Sequence, residues 1–256
     1  PEETETPKLE QPANEQAPEK NDQPEDMGTL VPFKVIKLDH QQGIPLYRKP
    51  DVTGSFTKIH LAGALLVQLT QGKECSVTIE PETAKDMVKV EIQNGTLYLK
   101  NEKDWNKRQE KLIVKVTIRE LDELFLSGAT SLMTMHQFGS ENLKLEMDGA
   151  SNANLNLKTS KLKADFSGAS KVVLEGSCEQ ADLQVSGAAE VNMSDISVKN
   201  AKINNSGAGH AELYISETLK VDGSGASTTY YKIAAGSKSV KVDANTSGAA
   251  TIKDKK

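Results

Sequence analysis

Hydrophobic and polar residues alternate along most of the chain after about residue 55. Before Gly149, for example, Leu143, Leu145 and Met147 occupy every second position, and Leu155 continues the alternation after the glycine. An alternation of period two predicts β-strands, because successive side chains of a strand point to opposite faces. A helical period does not fit these runs. The pattern therefore predicts an all-β protein.

A tripeptide, Ser-Gly-Ala or Asp-Gly-Ala, recurs between the alternating runs at intervals of 18 to 23 residues. A period of about 20 residues indicates a solenoid, in which each repeat buries its apolar face against its neighbours. Two strands flank each glycine and a shorter third segment closes the turn. We therefore predict a single-stranded, right-handed parallel β-helix with three sides and about 20 residues per coil. Its corner glycines are Gly128, Gly149, Gly168, Gly187, Gly207, Gly225 and Gly248.

The repeated tripeptide is interpreted as a structural corner. Glycine adopts the positive φ that a sharp bend requires. We expect the alanine to point inside the corner and the serine hydroxyl to cap local backbone groups or to bond along the stack. The serines have no histidine close to each of them in the repeat. Seven copies therefore favour architecture over nucleophilic catalysis, and no catalytic residue is assigned.

The region before the first regular repeat follows a related pattern. "FTKIHLAGALLVQLTQG" alternates and carries Gly63 in the corner role, 65 residues before Gly128, which is the length of about three coils. We therefore expect one domain over residues 55–256, with degenerate coils over 55–126 and regular coils over 127–256. Asn94 and Gly95 lie between two alternating runs and predict a hairpin-type turn. Residues 31–54 are expected to lead into the first coil or to cap it.

Residues 1–30 differ in composition from the rest of the chain. They hold nine acidic residues, two lysines, five prolines and no aromatic residue. Such a segment buries too little apolar surface to offset the entropy of ordering, so it predicts a disordered, acidic tether; the alternative is an acidic arm that binds a partner. The chain begins at Pro1 rather than Met, which suggests a processed N-terminus.

Charge, cysteine count and hydropathy exclude several classes of partner. Residues 31–256 hold 29 basic and 27 acidic side chains, so they lack the basic surface of a nucleic-acid-binding protein. No apolar run is long enough to cross a membrane. Cys75 and Cys178 do not form a disulfide framework and are expected to be packed or free thiols, although one bridge between them stays open. The spacing of His and Cys predicts no metal site, and no cofactor is expected.

Polar residues at outward positions form two predicted columns before the corner glycines. Because side chains of equivalent strands stack in a solenoid, we expect charge and amide ladders along its length. An alternative is a cation held between Glu146 and Asp165 on adjacent coils. The columns are, three residues before each glycine, Glu146, Asp165, Gln184, Asn204, Asp222 and Asn245, and, five residues before it, Lys144, Lys163, Asp182, Lys202, Lys220 and Asp243.

The outward face after the corner glycines is more mixed and is the candidate ligand surface. Tyr214 and Tyr230 lie there near His210 and Glu212. Aromatic side chains among polar groups are typical of binding surfaces, but scattered exposed aromatics also occur on most proteins. Trp105, the only tryptophan, lies in the polar insert "NEKDWNKRQEK" and is a second candidate for ligand contact.

The order of these motifs resembles a known family. "FTKIHLAGALLVQLTQG", "VEIQNGTLYLK" and "LFLSGAT", followed by tandem Ser-Gly-Ala repeats, are similar to the putative auto-transporter adhesin, head GIN domain family, over about residues 55–250. The resemblance implies a right-handed β-helix, export in a Gram-negative bacterium, often as a lipoprotein, and an adhesin role. It implies no catalytic residues. A lipid anchor would then lie upstream of Pro1.

Three functions are compatible with these observations. The first is a non-catalytic, adhesin-like protein of the cell envelope or surface, which binds a glycan, a matrix protein or an envelope protein. The second is a structural scaffold that binds another envelope protein. The third is a carbohydrate-active enzyme, since some enzymes that cut polysaccharides are β-helices. Periplasm and outer membrane or cell surface are both open as locations, as is the oligomeric state.

Overall fold

A computed structural model describes residues 52–101, 111–237 and 239–255. These residues lie within one compact unit, Ile44–Lys256. The predicted tether, and the predicted lead-in segment up to residue 51, lie outside the described residues and stay predictions. The elements are, in chain order, β1 (Val52–Thr53), β2 (Lys58–Ala62), β3 (Leu66–Gln71), β4 (Ser76–Glu80), a 3₁₀ helix (Glu82–Met87), β5 (Val88–Gln93), β6 (Thr96–Asn101), β7 (Ile113–Ile118), β8 (Glu123–Leu126), β9 (Ser131–Thr134), β10 (Phe138–Met147), β11 (Asn152–Phe166), β12 (Lys171–Val185), β13 (Glu190–Asn205), β14 (His210–Gly223), β15 (Thr228–Ile233), β16 (Lys241–Thr246) and β17 (Thr251–Asp254).

Parallel pairing between successive coils builds a β-solenoid of about seven turns. Each coil has two long sides, which we call face 1, the segment before a corner glycine, and face 2, the segment after it. A short third side closes the coil, as where Ser177 pairs with Ser197. The predicted parallel β-helix is confirmed.

The interior of the solenoid is a set of stacked apolar columns. On face 1, Leu145 lies beside Ala164, Ala164 beside Leu183, and Leu183 beside Ile203. All four are buried, while the residues between them point outward. Burial of a leucine or isoleucine side chain stabilises the fold by about 1.5–3 kcal/mol. The alternating sequence pattern therefore translates directly into the core.

The corners are tight turns that require glycine for two reasons. Gly168 has φ of 68° and the neighbouring Ala169 has no positive φ, while the N–H of Ser170 donates to the carbonyl of Ser167 at 3.3 Å. This combination describes a type II′ turn, which needs a positive φ at its first central residue. A Cβ on Gly168 would also lie 2.6 Å from the carbonyl oxygen of Gly149, one coil below. Both the backbone conformation and the stacking therefore exclude a larger residue.

The alanine of each corner was expected inside, and the structure contradicts this. Ala169 is exposed, whereas the next residue, Ser170, is buried. The reason is that the two central residues of the turn both project outward before the chain re-enters the next strand. The serine prediction is confirmed at three corners, because the hydroxyls of Ser127, Ser167 and Ser206 donate to backbone carbonyls one coil below.

The prediction that about three coils separate Gly63 from Gly128 is also wrong. Strand β8 pairs directly with β2, and β9 with β3, so these two glycines lie on adjacent coils. The intervening chain passes to the other side of the first coil, where β6 pairs in parallel with β2 and β7 with β3. The coil built from β6 and β7 follows the β2–β3 coil in sequence. In the stack it lies on the opposite side of that coil from β8 and β9, and we call this the lower end of the solenoid.

Antiparallel strands flank this lowest coil. The hairpin predicted at Asn94 and Gly95 is present, with positive φ at both residues, and it pairs β5 with β6. On face 2, β4 pairs antiparallel with β7, and β1 with β4. The sequence change from Ser-Gly-Ala repeats to an Asn-Gly turn therefore marks a change from parallel coils to an antiparallel cap.

Candidate ligand-binding surfaces

The predicted polar ladders on face 1 are present and are internally paired. Glu146 lies beside Asp165, and Asp165 beside Gln184. Further along, Asn204 donates to the side-chain oxygen of Gln184 at 3.1 Å. Lys144 Nζ lies 2.6 Å from Glu146 Oε1, so this carboxylate already has a cationic partner. Among the residues that the structure describes, no group of three or more His, Cys, Asp or Glu side chains is placed to hold a metal ion.

Three of the predicted ligand residues on face 2, His210, Glu212 and Tyr230, form one cluster with Lys255, and we call these four residues the Tyr230 patch. The His210 and Tyr230 rings lie 5.5 Å apart between centroids. Lys255 Nζ lies 3.0 Å from each carboxylate oxygen of Glu212 and 5.7 Å from the Tyr230 ring centroid. Lys255 was not singled out from the sequence, because it lies 43 residues from Glu212 and reaches it from two coils further along the stack.

The other two predicted ligand residues do not join this patch. The Tyr214 hydroxyl accepts a hydrogen bond from the backbone N–H of Ala235 at 3.1 Å. Because its polar end holds a turn of the next coil, Tyr214 has a structural role in the fold. Trp105 lies outside the described residues, in the segment that joins β6 to β7, and its proposed role stays a prediction.

An aromatic row on face 1 was missed in the sequence analysis. Tyr98, His60 and Phe125 occupy the same outward register on β6, β2 and β8. Their ring centroids lie 5.1 Å apart between His60 and Tyr98 and 5.4 Å apart between His60 and Phe125. Tyr98 is 38% exposed. On the next coil the equivalent outward position is Glu146, which pairs with Phe125 and begins the polar ladder.

A sequence signal for this row existed. His60 and Phe125 each lie three residues before a corner glycine, at the position of Glu146 and Asp165 in later coils. Tyr98 lies three residues before Asn101, which occupies the corner position below Gly63. The row was not recognised because the register of the first coils depended on the order of β2, β6 and β8 in the stack.

The aromatic row borders a groove with a volume of about 510 Å³. Lys89 and Lys100 line one side, next to Ala62, whose short side chain leaves the space that longer residues would fill. Glu91 pairs with Tyr98 in the strand register and closes the end of the row. Lys89 Nζ lies 2.7 Å from Glu91 Oε1. The groove therefore combines ring surfaces with charged groups of both signs.

Glu123 is the electrostatic centre on the other side of the aromatic row. Its carboxylate lies 3.5 Å from His60 Nε2, 3.6 Å from Lys58 Nζ and 3.7 Å from Lys144 Nζ. Partial burial acts to raise the pKa of Glu123, but the attraction of these partners, Lys144 foremost, outweighs it and lowers the pKa below its usual 4.5. The Glu123 carboxylate therefore stays ionised beside the His60 ring at neutral pH.

Both cysteines are free thiols, which closes the alternative of a bridge between them. Burial raises the pKa of Cys178 to about 11. A thiol is reactive mainly as the thiolate. Cys178 therefore belongs to the packed interior of the solenoid.

The chain matches the family model of the putative auto-transporter adhesin, head GIN domain, over residues 55–235. It belongs to this family. The match covers most of the antiparallel cap and most of the parallel coils, with the aromatic row and all of the Tyr230 patch except Lys255. Among curated proteins, no sequence matches the chain. Within the described residues, no helix has the length and hydropathy needed to span a bilayer.

Solved structures of similar fold include proteins from Bacteroides and Parabacteroides species. A putative adhesin from Bacteroides fragilis is 18% identical with a TM-score of 0.67, and the alignment covers 79% of this chain and 94% of that one. A putative adhesin from Parabacteroides merdae is 18% identical with a TM-score of 0.61, and the alignment covers 80% of this chain and 94% of that one. A putative lipid binding protein from Parabacteroides distasonis is 18% identical with a TM-score of 0.62, and the alignment covers 81% of this chain and 96% of that one. At this identity the likeness concerns the fold.

Proposed function

We propose that the protein is a non-catalytic, adhesin-like binding protein that is exported to the cell envelope, where a rigid β-solenoid presents side chains to a partner outside the cell. Membership of the head GIN domain family supports this role. The observation that carries it is the Tyr230 patch, in which an aromatic ring, an imidazole and an ion pair lie together at outward positions. Attachment through a tether and an upstream lipid anchor is part of the proposal.

The chemistry of the patch favours binding over catalysis. Glu212 is held by Lys255 on both carboxylate oxygens. A carboxylate fixed in this way is poorly suited to accept and return a proton, which a glycosidase acid requires. The Tyr230 ring and the His210 ring instead offer a contact surface with a polar rim. This is the usual composition of a protein surface that recognises another molecule.

The partner class is tested by binding of the full chain to an array of glycans, matrix proteins and bacterial envelope proteins. Tyr230→Ala should weaken binding of the partner by about tenfold, since aromatic contacts contribute about 0.5–1.5 kcal/mol beyond buried area. Asn154→Ala is the matched control, because Asn154 occupies the same outward column of face 2 several coils away. An array without any saturable binding would refute the proposal. Selective retention of one envelope protein would instead favour the scaffold function.

A further inference from the structure

The aromatic row is not required by the architecture of the solenoid. In the coils above it, the same outward register holds Glu146, Asp165 and Gln184, and the strands pair in the same way. An outward position on face 1 therefore tolerates polar residues. Tyr98 is one of the exposed large hydrophobic side chains of the described residues. Three aromatic rings on three adjacent strands therefore need another explanation than packing of the core.

The groove beside the row has the features of a ligand site. Its volume of about 510 Å³ lies within the range of about 300–1,000 Å³ that is usual for such sites. The rings form one wall, and the missing bulk at Ala62 forms the floor next to Lys100. No ion-pair or hydrogen-bond partner of the Lys100 side chain is found among the described residues. A donor is thus available at the edge of an aromatic surface.

The mixture of groups indicates the chemistry of the ligand. Ring faces make favourable contact with the C–H surface of a sugar ring, while its hydroxyls both donate and accept hydrogen bonds. The groove offers donors at Lys100 and Lys89 and acceptors at Glu91, which suits hydroxyl groups. Since Lys89 and Glu91 neutralise each other, the groove lacks the strong positive charge that a polyanion would need. It also lacks the enclosed, fully apolar lining that would suit an acyl chain.

We infer that the groove along Tyr98, His60 and Phe125 binds a glycan segment, with sugar rings against the aromatic row and hydroxyls bonded to Lys100 and Glu91. The inference rests on the proposed function and assigns it a second surface, distinct from the Tyr230 patch. The row spans three strands of adjacent coils, so it faces an extended saccharide rather than a single sugar. Glu123 holds the His60 imidazole from the far side, at 3.5 Å, and so positions the central ring.

The test is titration of the full chain with four uncharged hexasaccharides, cellohexaose, chitohexaose, mannohexaose and laminarihexaose, each up to about 1 mM, by isothermal calorimetry. At least one hexasaccharide should bind. Tyr98→Ala should weaken the affinity for that hexasaccharide about tenfold, because a stacking surface is lost. Tyr98→Phe keeps the ring, so its affinity should stay within about threefold of the wild-type value. Ala62→Gln, which fills the floor without removing a ring, should also weaken binding. Asn154→Ala, at an outward position of face 2 outside both surfaces, is the control and should leave the affinity unchanged.

Two results would overturn the inference. One is that none of the four hexasaccharides binds. The other is that a hexasaccharide binds with equal affinity to wild type and Tyr98→Ala. Each variant is first compared with wild type by circular dichroism and thermal unfolding. If the chain binds a matrix or envelope protein through Tyr230 while Tyr98→Ala has no effect on any ligand, the proposed function stands and the glycan groove is refuted.

Discussion

The side-chain oxygen Oδ1 of Asn101 accepts a hydrogen bond from the backbone N–H of Ala64 at 2.8 Å. In every later corner the equivalent alanine N–H donates instead to the carbonyl of the glycine one coil below, as Ala129 does to Gly63 at 2.7 Å. Asn101 occupies the corner position of the lowest coil, which has no glycine there. Its amide side chain therefore replaces a backbone carbonyl and ends the ladder of corner hydrogen bonds.

Replacement of Asn101 by Ala should destabilise the protein by about 0.5–1.5 kcal/mol, the usual net contribution of one hydrogen bond. The measurement is the midpoint of urea-induced unfolding. Asn101→Asp is the matched control, since it keeps an oxygen acceptor in the same position, and it should lose less than Asn101→Ala. If the alanine variant unfolds at the same urea concentration as wild type, this cap contributes nothing to stability.

A second prediction separates the two reasons for glycine at the corners. Gly187 has φ of 67° and its Cβ would lie 2.7 Å from the oxygen of Gly168, whereas Gly95 has φ of 74° and its Cβ would meet nothing within 4 Å. Gly95→Ala should therefore cost only the backbone strain, about 1–2 kcal/mol. Gly187→Ala adds the collision with the coil below and should cost clearly more, and Gly187→Val more still.

Thermal unfolding of the two alanine variants gives the comparison. Equal shifts in melting temperature would mean that the corner tolerates separation of the coils, and that only the positive φ matters. A larger shift for Gly187→Ala attributes the difference to the close stacking of successive corners.

The corner chemistry explains why the repeat could be interpreted from sequence alone. A positive φ and a contact that excludes Cβ both select glycine, so the period of the glycines reports the period of the coils. The orientation of the alanine could not be derived in this way. Whether the residue after the glycine points in or out depends on the turn type, and Ser-Gly-Ala alone does not distinguish turns with one or two residues projecting outward.

The order of the first coils could not be read from spacing because it depends on long-range pairing. Gly63 and Gly128 are 65 positions apart, the length of about three coils, yet the described residues between them include one coil on the other side of β2 and most of an antiparallel cap. The Asn94–Gly95 turn was a correct local signal for reversal of the chain. It did not indicate on which side of the first coil the returning strands pair. The aromatic row of face 1 was missed for the same reason, since Tyr98 joins His60 only after β6 pairs with β2.

A third prediction concerns the pH dependence of stability through Glu123. Its pKa in the folded protein lies below the usual value because Lys144, His60 and Lys58 outweigh the effect of burial. A carboxylate with a lowered folded pKa stabilises the protein above its unfolded pKa, and the contribution disappears as the pH falls through the folded value. Wild type should therefore exceed Glu123→Gln in stability at pH 6, by no more than about 1 kcal/mol for such a surface cluster.

The difference between wild type and Glu123→Gln should shrink below pH 4.5 and vanish at lower pH. Urea unfolding at a series of pH values measures it. Glu141→Gln is the control, since the Glu141 carboxylate has no ion-pair partner among the described residues. A difference that stays constant down to acidic pH would show that the substitution acts through packing rather than through charge.

Asn205 interrupts the apolar column that contains Phe166 and Val185, and it is 1% exposed. Its amide nitrogen Nδ2 donates to Thr229 Oγ1 at 2.9 Å and to the carbonyl of Thr228 at 3.0 Å. Its oxygen Oδ1 accepts no hydrogen bond from the described residues and would lie 2.3 Å from a Cβ on Gly209. Gly209 thus occupies a corner position at which most other coils have a small side chain.

The fourth prediction is that Asn205 and Gly209 are energetically coupled. Gly209 has no positive φ, so Gly209→Ala tests space rather than backbone strain. In wild type it should cost about 1–3 kcal/mol, because the new methyl group overlaps Asn205 Oδ1. In an Asn205→Ala background the cost should fall by at least about half, since the shortest contact is lost and only those with Val185 Cγ1 at 2.9 Å and the Ser206 carbonyl oxygen at 3.2 Å remain. Urea unfolding of the four proteins in this double-mutant cycle gives the coupling energy. A coupling energy near zero would show that Gly209 is required for a reason other than the buried asparagine.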